Sequence, residues 1–160
     1  MLGLVPISET GLKNLKAELS ELEKERAAVS KRVGEARQEG DLKENGEYIY
    51  GRQQLGFIDG RLGELRAKIN HSEIIDCTKV NCERAIFGTV VTLLDLNTKK
   101  KVVYQLLGPN DADFDAGSIS ILSPVGDAIL DLEVGDKSSV TIPRGKFDFE
   151  VIDIAKSKTK

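Results

Sequence analysis

A chain of 160 residues, 40% hydrophobic and 31% charged, has material for one domain or two small ones under a heavily solvated surface. The 23 basic and 26 acidic residues leave a net charge of −3, which rules out gripping nucleic acid through bulk charge while permitting a local basic patch. Aromatic residues at 5%, with no Trp, argue against a large aromatic-lined pocket, and two cysteines make no disulfide framework. No stretch approaches a membrane span, and the apolar opening ahead of Glu9 is too short for a signal peptide, so a soluble cytoplasmic protein without membrane association is expected.

From residue 12 to residue 71 the chain carries helix formers, no proline, and apolar residues three and four apart. The first helix is predicted to start at Ser8 or Thr10, either of which offers a hydroxyl to the unpaired N–H groups of the first turn. Its ladder runs Leu12, Leu15, Leu19, Leu22, Val29, Val33 and Ala36, with Arg26 on the missing rung. A second ladder runs Tyr48, Gly51, Leu55, Ile58, Leu62, Leu65 and Ile69. The two mirror each other from Leu15 onward: 36 goes with 48, 33 with 51, 29 with 55, and so on to 15 with 69, each pair of numbers adding to 84. A constant sum marks two antiparallel helices folded about position 42, and a continuous dimeric zipper has no reason to show it. The alternative is a compact helical bundle. The arm from residue 15 to residue 40 would reach roughly 38 Å. Gly51 opposite Val33 marks either a weak point or a close approach of the two helices.

The bend Gly40-Asp41-Leu42-Lys43-Glu44-Asn45-Gly46 is bracketed by glycines that end one helix and release the next, with Asp41 or Asn45 as the cap. Residues 72–84 form a joint. Beyond it, runs of Val, Ile, Leu and Thr predict strands over 86–96 and 101–107 around Asn97-Thr98-Lys99-Lys100, and another over 118–122. Two more are predicted over 138–142 and 147–154 around Pro143-Arg144-Gly145, with a short helix after Ser123-Pro124. The expected architecture is α+β: an antiparallel coiled-coil hairpin over 1–76 with an acidic tip at 40–46, then a small α+β globular domain over 77–160.

Self-contained chemistry has few supports here. His71 is the one histidine, so neither a Ser–His–Asp arrangement nor a His-rich metal site is available. Cys77 and Cys82 lack further ligands for zinc and read as packing residues, and no glycine-rich phosphate loop follows a strand. The tip is different. Asp41 and Glu44 are three apart, so a helical turn would present both carboxylates to one side, with Glu47 three further on. Alone in water, two carboxylates hold a divalent cation weakly. At the end of a stiff arm they can be carried into a cavity where other acids and phosphates complete the shell; the competing reading is a solvated turn.

The run Glu35-Ala36-Arg37-Gln38-Glu39-Gly40-Asp41-Leu42-Lys43-Glu44-Asn45-Gly46-Glu47-Tyr48 closely resembles the tip motif of the bacterial transcript cleavage factors, the GreA/GreB family. The second half agrees at Ile86-Phe87-Gly88-Thr89-Val90-Val91, Ser123-Pro124-Val125-Gly126, Gly135-Asp136, Pro143-Arg144-Gly145 and Phe149-Glu150-Val151. The resemblance implies a C-terminal domain similar to FKBP-type folds that docks at the rim of the secondary channel of bacterial RNA polymerase. The coiled coil then passes down the channel and stimulates the polymerase's own cleavage of the backtracked nascent RNA 3′ segment. Such a factor is itself no enzyme, has no cofactor of its own, and works as a monomer.

By the family's motif, Asp41 and Glu44 help hold a Mg²⁺ shared with the polymerase active site and orient the attacking water. Arg37, Lys43 and Arg52 contact RNA or the channel, the arginines having solvated charge as their alternative, and Leu42, Asn45 and Tyr48 support the tip. Over residues 1–70 there are 12 basic and 12 acidic side chains, a near-neutral arm more like the GreA branch than the GreB branch. A channel-binding polymerase inhibitor of the same architecture is the rival reading, against which the Asp41–Glu44 spacing speaks. Prolyl isomerisation, suggested by the FKBP-like half, wants an aromatic cleft that Phe87, Tyr104, Phe114, Phe147 and Phe149 supply poorly.

Overall fold

The computed structural model describes residues 4–39 and 45–160. Along them run β1 (Val5–Ser8), α1 (Glu9–Gln38), α2 (Gly46–Asn70), β2 (Ser72–Ile75), β3 (Val90–Asp95) and β4 (Lys101–Leu107). A 3-10 turn (Phe114–Ala116), β5 (Ser118–Ser120), α3 (Pro124–Ile129), β6 (Lys137–Ile142) and β7 (Gly145–Ala155) follow. The chain divides into two compact units: the arm, Lys13–His71, and a globular unit made of Ser72–Lys160 with the residues up to Leu12. The chain ahead of the arm pairs with the chain behind it.

In α1, Ser8 provides the hydroxyl at the first turn: its Oγ accepts the N–H of Gly11 at 3.0 Å. Thr10, the other candidate, donates its hydroxyl to the Lys160 carbonyl instead (2.7 Å). Helices α1 and α2, of 30 and 25 residues, run antiparallel. Arg61 near the end of α2 reaches Glu18 near the start of α1 (2.7 Å), while Gly51 near the start of α2 lies against Val33 near the end of α1. The seam is made of Val29, Ile58 and Leu62 with Leu19, Leu22, Val33 and Leu55 around them, all rungs of the mirrored ladders. Gly51 is a close approach: a Cβ there would come 2.5 Å from Val33 Cγ2. Arg26, on the missing rung, keeps its guanidinium at the surface, where Asp59 accepts its Nε–H (2.5 Å).

In the globular unit, β1 and β2 form a parallel pair, from Val5 opposite Ser72 to Ser8 opposite Ile75. Parallel strands need a long crossover, and the crossover here is the arm. Neither strand is legible in the sequence, since each is four residues long with no alternation to read. The main sheet has the order β5-β4-β3-β7-β6, antiparallel except for the parallel β4–β5 edge. Val91, Leu93, Leu106, Phe149, Val151 and Ile154 from its strands pack with Ile129 of α3 to form the core. The strand predicted over 86–96 starts only at Val90. The buried Thr89 hydroxyl accepts the Ile86 N–H (3.2 Å) and donates to the Ile86 carbonyl (2.7 Å), folding 86–89 into a turn. Cys77 is buried with Phe87 and Leu107, and Cys82 packs beside the main core, so both cysteines are packing residues. Among the described residues no helix is long and apolar enough to cross a membrane.

Candidate functional site

Asp41, Leu42, Lys43 and Glu44 lie outside the described residues; the structure defines the frame on either side of them. That frame is closed by Asn45. Its Oδ1 accepts the N–H of Tyr48 (3.2 Å), capping α2, and its Nδ2 donates to the carbonyl of Ala36 (2.6 Å) in the last turns of α1. An asparagine does both because its amide carries a donor and an acceptor, where an aspartate would only accept. Two helix ends with unpaired backbone groups are thus joined on one side chain. The Glu39 N–H on the same Ala36 carbonyl (3.1 Å) tightens the end of α1. Asn45 thus ties the start of α2 to the last turns of α1 beside the buried Ala36. The sequence offers Asn45 as one of two caps. Its second bond is missed there, although the pairing of 36 with 48 already brings the start of α2 opposite Ala36.

Two grooves flank the seam near the tip, and they are chemically unlike. The first, about 470 Å³, is bordered by Ser30, Arg37, Tyr48 and Arg52 beside the bare backbone of Gly34 and Gly56. It brings together three of the sequence-predicted residues from two helices. Arg26, also on this groove, is committed to Asp59, and their hydrogen bond holds the Asp59 carboxyl below the usual carboxylate range. Arg37 and Arg52 have no ion-pair partner among the described residues. Two guanidinium groups, a phenol ring and a hydroxyl around a groove suit phosphate and unstacked bases. The second groove, about 360 Å³, is bordered by Glu35, Glu39 and Glu47 with Arg32 and Tyr50, a lining that repels phosphate. The near-neutral total over the arm conceals this asymmetry. Among the described residues no three His, Cys, Asp or Glu side chains are grouped to hold a metal ion.

Residues 5–74 match the family model for the N-terminal domain of transcription elongation factors, and residues 80–156 match that for the C-terminal domain of the transcription elongation factors GreA/GreB. The chain is 46% identical over 155 residues to the transcription elongation factor GreA of Desulfotalea psychrophila, covering 96% of each chain. It is 41% identical over 152 residues to the GreA of Thermodesulfovibrio yellowstonii, covering 94% of this chain and 96% of that one. Among solved structures, GreA factor homolog 1 of Thermus thermophilus is similar at 25% identity over 94% of this chain and 98% of that one, with a TM-score of 0.44. With both halves matched and relatives of this identity aligned over almost their full length, the chain belongs to the GreA/GreB family of transcription elongation factors.

Proposed function

We propose that the chain is an elongation factor that docks on bacterial RNA polymerase through its FKBP-like half and passes the arm into the secondary channel. There it stimulates the polymerase's intrinsic cleavage of the backtracked nascent RNA 3′ segment and so rescues arrested complexes. The observation that carries this reading is the Asn45 bridge, which makes the acid-bearing segment the connection between two fixed helix ends of a long, narrow element. Arg37 and Arg52, without ion-pair partners among the described residues, support the same reading.

Asp41 and Glu44 supply oxygen donors of the kind Mg²⁺ takes, but two carboxylates fall short of an octahedral shell. The ion would therefore be one that the polymerase active site also helps to hold. When bound there it supplies Lewis acidity and an activated water for phosphodiester hydrolysis. The chain's residues act around it. Asp41 and Glu44 would hold the ion and would orient the attacking water through their acceptor oxygens. Arg37 and Arg52 bind RNA phosphates in the basic groove, and Lys43 balances charge at the tip. Leu42, Asn45 and Tyr48 brace the turn. The factor contributes ligands and is not itself an enzyme; it acts as a monomer in the cytoplasm, where its polymerase is.

A stalled, backtracked bacterial elongation complex with labelled RNA at fixed Mg²⁺ tests this. Native protein is expected to speed transcript truncation, and Asp41→Asn and Glu44→Gln each to lose roughly 10–100-fold of that stimulation while still binding polymerase. Native protein that binds yet only slows RNA extension would replace the reading with a channel-binding inhibitor. Variants as active as the native chain would remove the acids from the mechanism.

A further inference from the structure

The guanidinium groups of the arm fall into two sets. Away from the tip, each is paired with an acid of the facing helix: Arg66 with Glu23 (3.8 Å), Arg61 with Glu18 (2.7 Å) and Arg26 with Asp59. Toward the tip, Arg32, Arg37 and Arg52 have no ion-pair partner among the described residues. The change from one set to the other falls inside the basic groove, which Arg26 and Asp59 border together with Arg37 and Arg52. Arg26 stands roughly 17 Å along α1 from Arg37, and Asp59 roughly 10 Å along α2 from Arg52.

Asp59 takes Arg26 by one edge: its Oδ1 accepts the Nε–H, and its Oδ2 accepts an Nη2–H at 3.5 Å. A guanidinium offers a phosphate the same fork of two donors. The carboxylate also repels a phosphate that approaches the remaining edge. Three arginines and one carboxylate give the groove a charge of +2, with its unpaired guanidinium groups at the end nearer the tip. Without the carboxylate the charge would be +3 and would extend to Arg26. We infer that Asp59 decides where the RNA-binding part of the groove ends: it withholds Arg26 and confines phosphate contacts to Arg37 and Arg52. This rests on the proposed reading of the groove as an RNA site.

Anisotropy titrations of the full-length chain with a short labelled oligouridylate, repeated over a range of KCl concentrations, test this. Asp59 and Arg26 are both exposed, so substituting them removes no packing. Asp59→Asn is expected to tighten binding at low salt by up to about fivefold. Its salt slope is expected to steepen by about 0.7, the release of counterions at one further phosphate. Adding Arg26→Ala to Asp59→Asn returns the groove to +2 and is expected to return both quantities to native. Asp59→Glu keeps the charge and is expected to bind like the native chain. Glu18→Gln makes the same change of charge beside Arg61, which does not border the groove, and is expected to change neither quantity. An equal gain from Glu18→Gln would show bulk charge at work and overturn the inference. Asp59→Asn binding like the native chain, or no binding by any variant, would overturn it too. The cleavage assay is judged separately. If the native chain fails to stimulate cleavage while the RNA series holds, the proposed function falls and Asp59 keeps its role. Stimulated cleavage with a flat RNA series rejects Asp59 alone.

Discussion

In the globular unit, Phe149, Leu93 and Val151 are enclosed in a core to which strands from across one sheet and helix α3 contribute. In the arm, Val29, Ile58 and Leu62 meet only the facing helix, and the seam is edged by surface pairs such as Arg61 with Glu18 and Arg26 with Asp59. Val29 and Leu62 still reach 1% exposure, so burial alone does not distinguish the two regions. The difference lies in connectivity. A sheet core links strands that are distant in sequence and fails as a whole, whereas a two-helix seam links neighbours in a line and yields section by section.

The largest test of that contrast sets Phe149→Ala against Leu62→Ala. The first is expected to cost about 3–5 kcal/mol and to lower the urea midpoint of the entire globular unit. The second is expected to cost about 2–5 kcal/mol, but as faster amide exchange in α1 and α2 with β3 and β7 unchanged. Equal acceleration in both units would break the comparison. A smaller pair sharpens it within the arm. Gly51→Ala drives a methyl group into Val33 and is expected to destabilise the arm by about 1–3 kcal/mol. Gly56→Ala places its methyl in open space and is expected to stabilise α2 by up to about 1 kcal/mol, both read from the thermal transition.

The smallest effect belongs to the globular unit. Burial, helped by the charges of Asp111 and Asp76, pushes the Cys77 thiol up from 9.0 to about 11. The folded chain keeps this proton where the unfolded chain has lost it. The contribution is therefore intact below pH 9.0 and is lost as pH rises towards about 11. Tm of the native chain should fall more steeply through that window than Tm of Cys77→Ala. At about pH 8 a thiol reagent should titrate Cys82 well ahead of Cys77. Parallel pH profiles would show that the buried thiol does not contribute.

The arm was readable because its information is periodic and local. Mirrored ladders name Gly51 as the partner of Val33, and a continuous dimeric zipper has no reason to show their constant sum. The strands 101–107 and 138–142 were readable for the same reason, each alternating or bounded by a turn. What escaped depends on pairs of residues with no pattern between them. Ser8 and Asp111 meet across more than half the chain, and β1 pairs with β2 across the whole arm. Beside the tip, the division into a basic and an acidic groove was not legible. It depends on how the helices rotate about their seam, and Asp59 removes Arg26 from the free charges on the basic side.

Because Val5 lies opposite Ser72 and Ser8 opposite Ile75, the chain leaves the globular unit and re-enters it at neighbouring places. The arm is in that sense a cassette inserted into a second fold, with its exchange points near Leu12 and Ser72. Adding one heptad to each helix, in matched mirror positions, would lengthen its reach by about 10.5 Å without disturbing a strand. A fragment started at residue 77 would instead lose both strands of the parallel pair. The length of the arm can thus be varied by insertion without touching the pairing of β1 with β2, but not by a single cut.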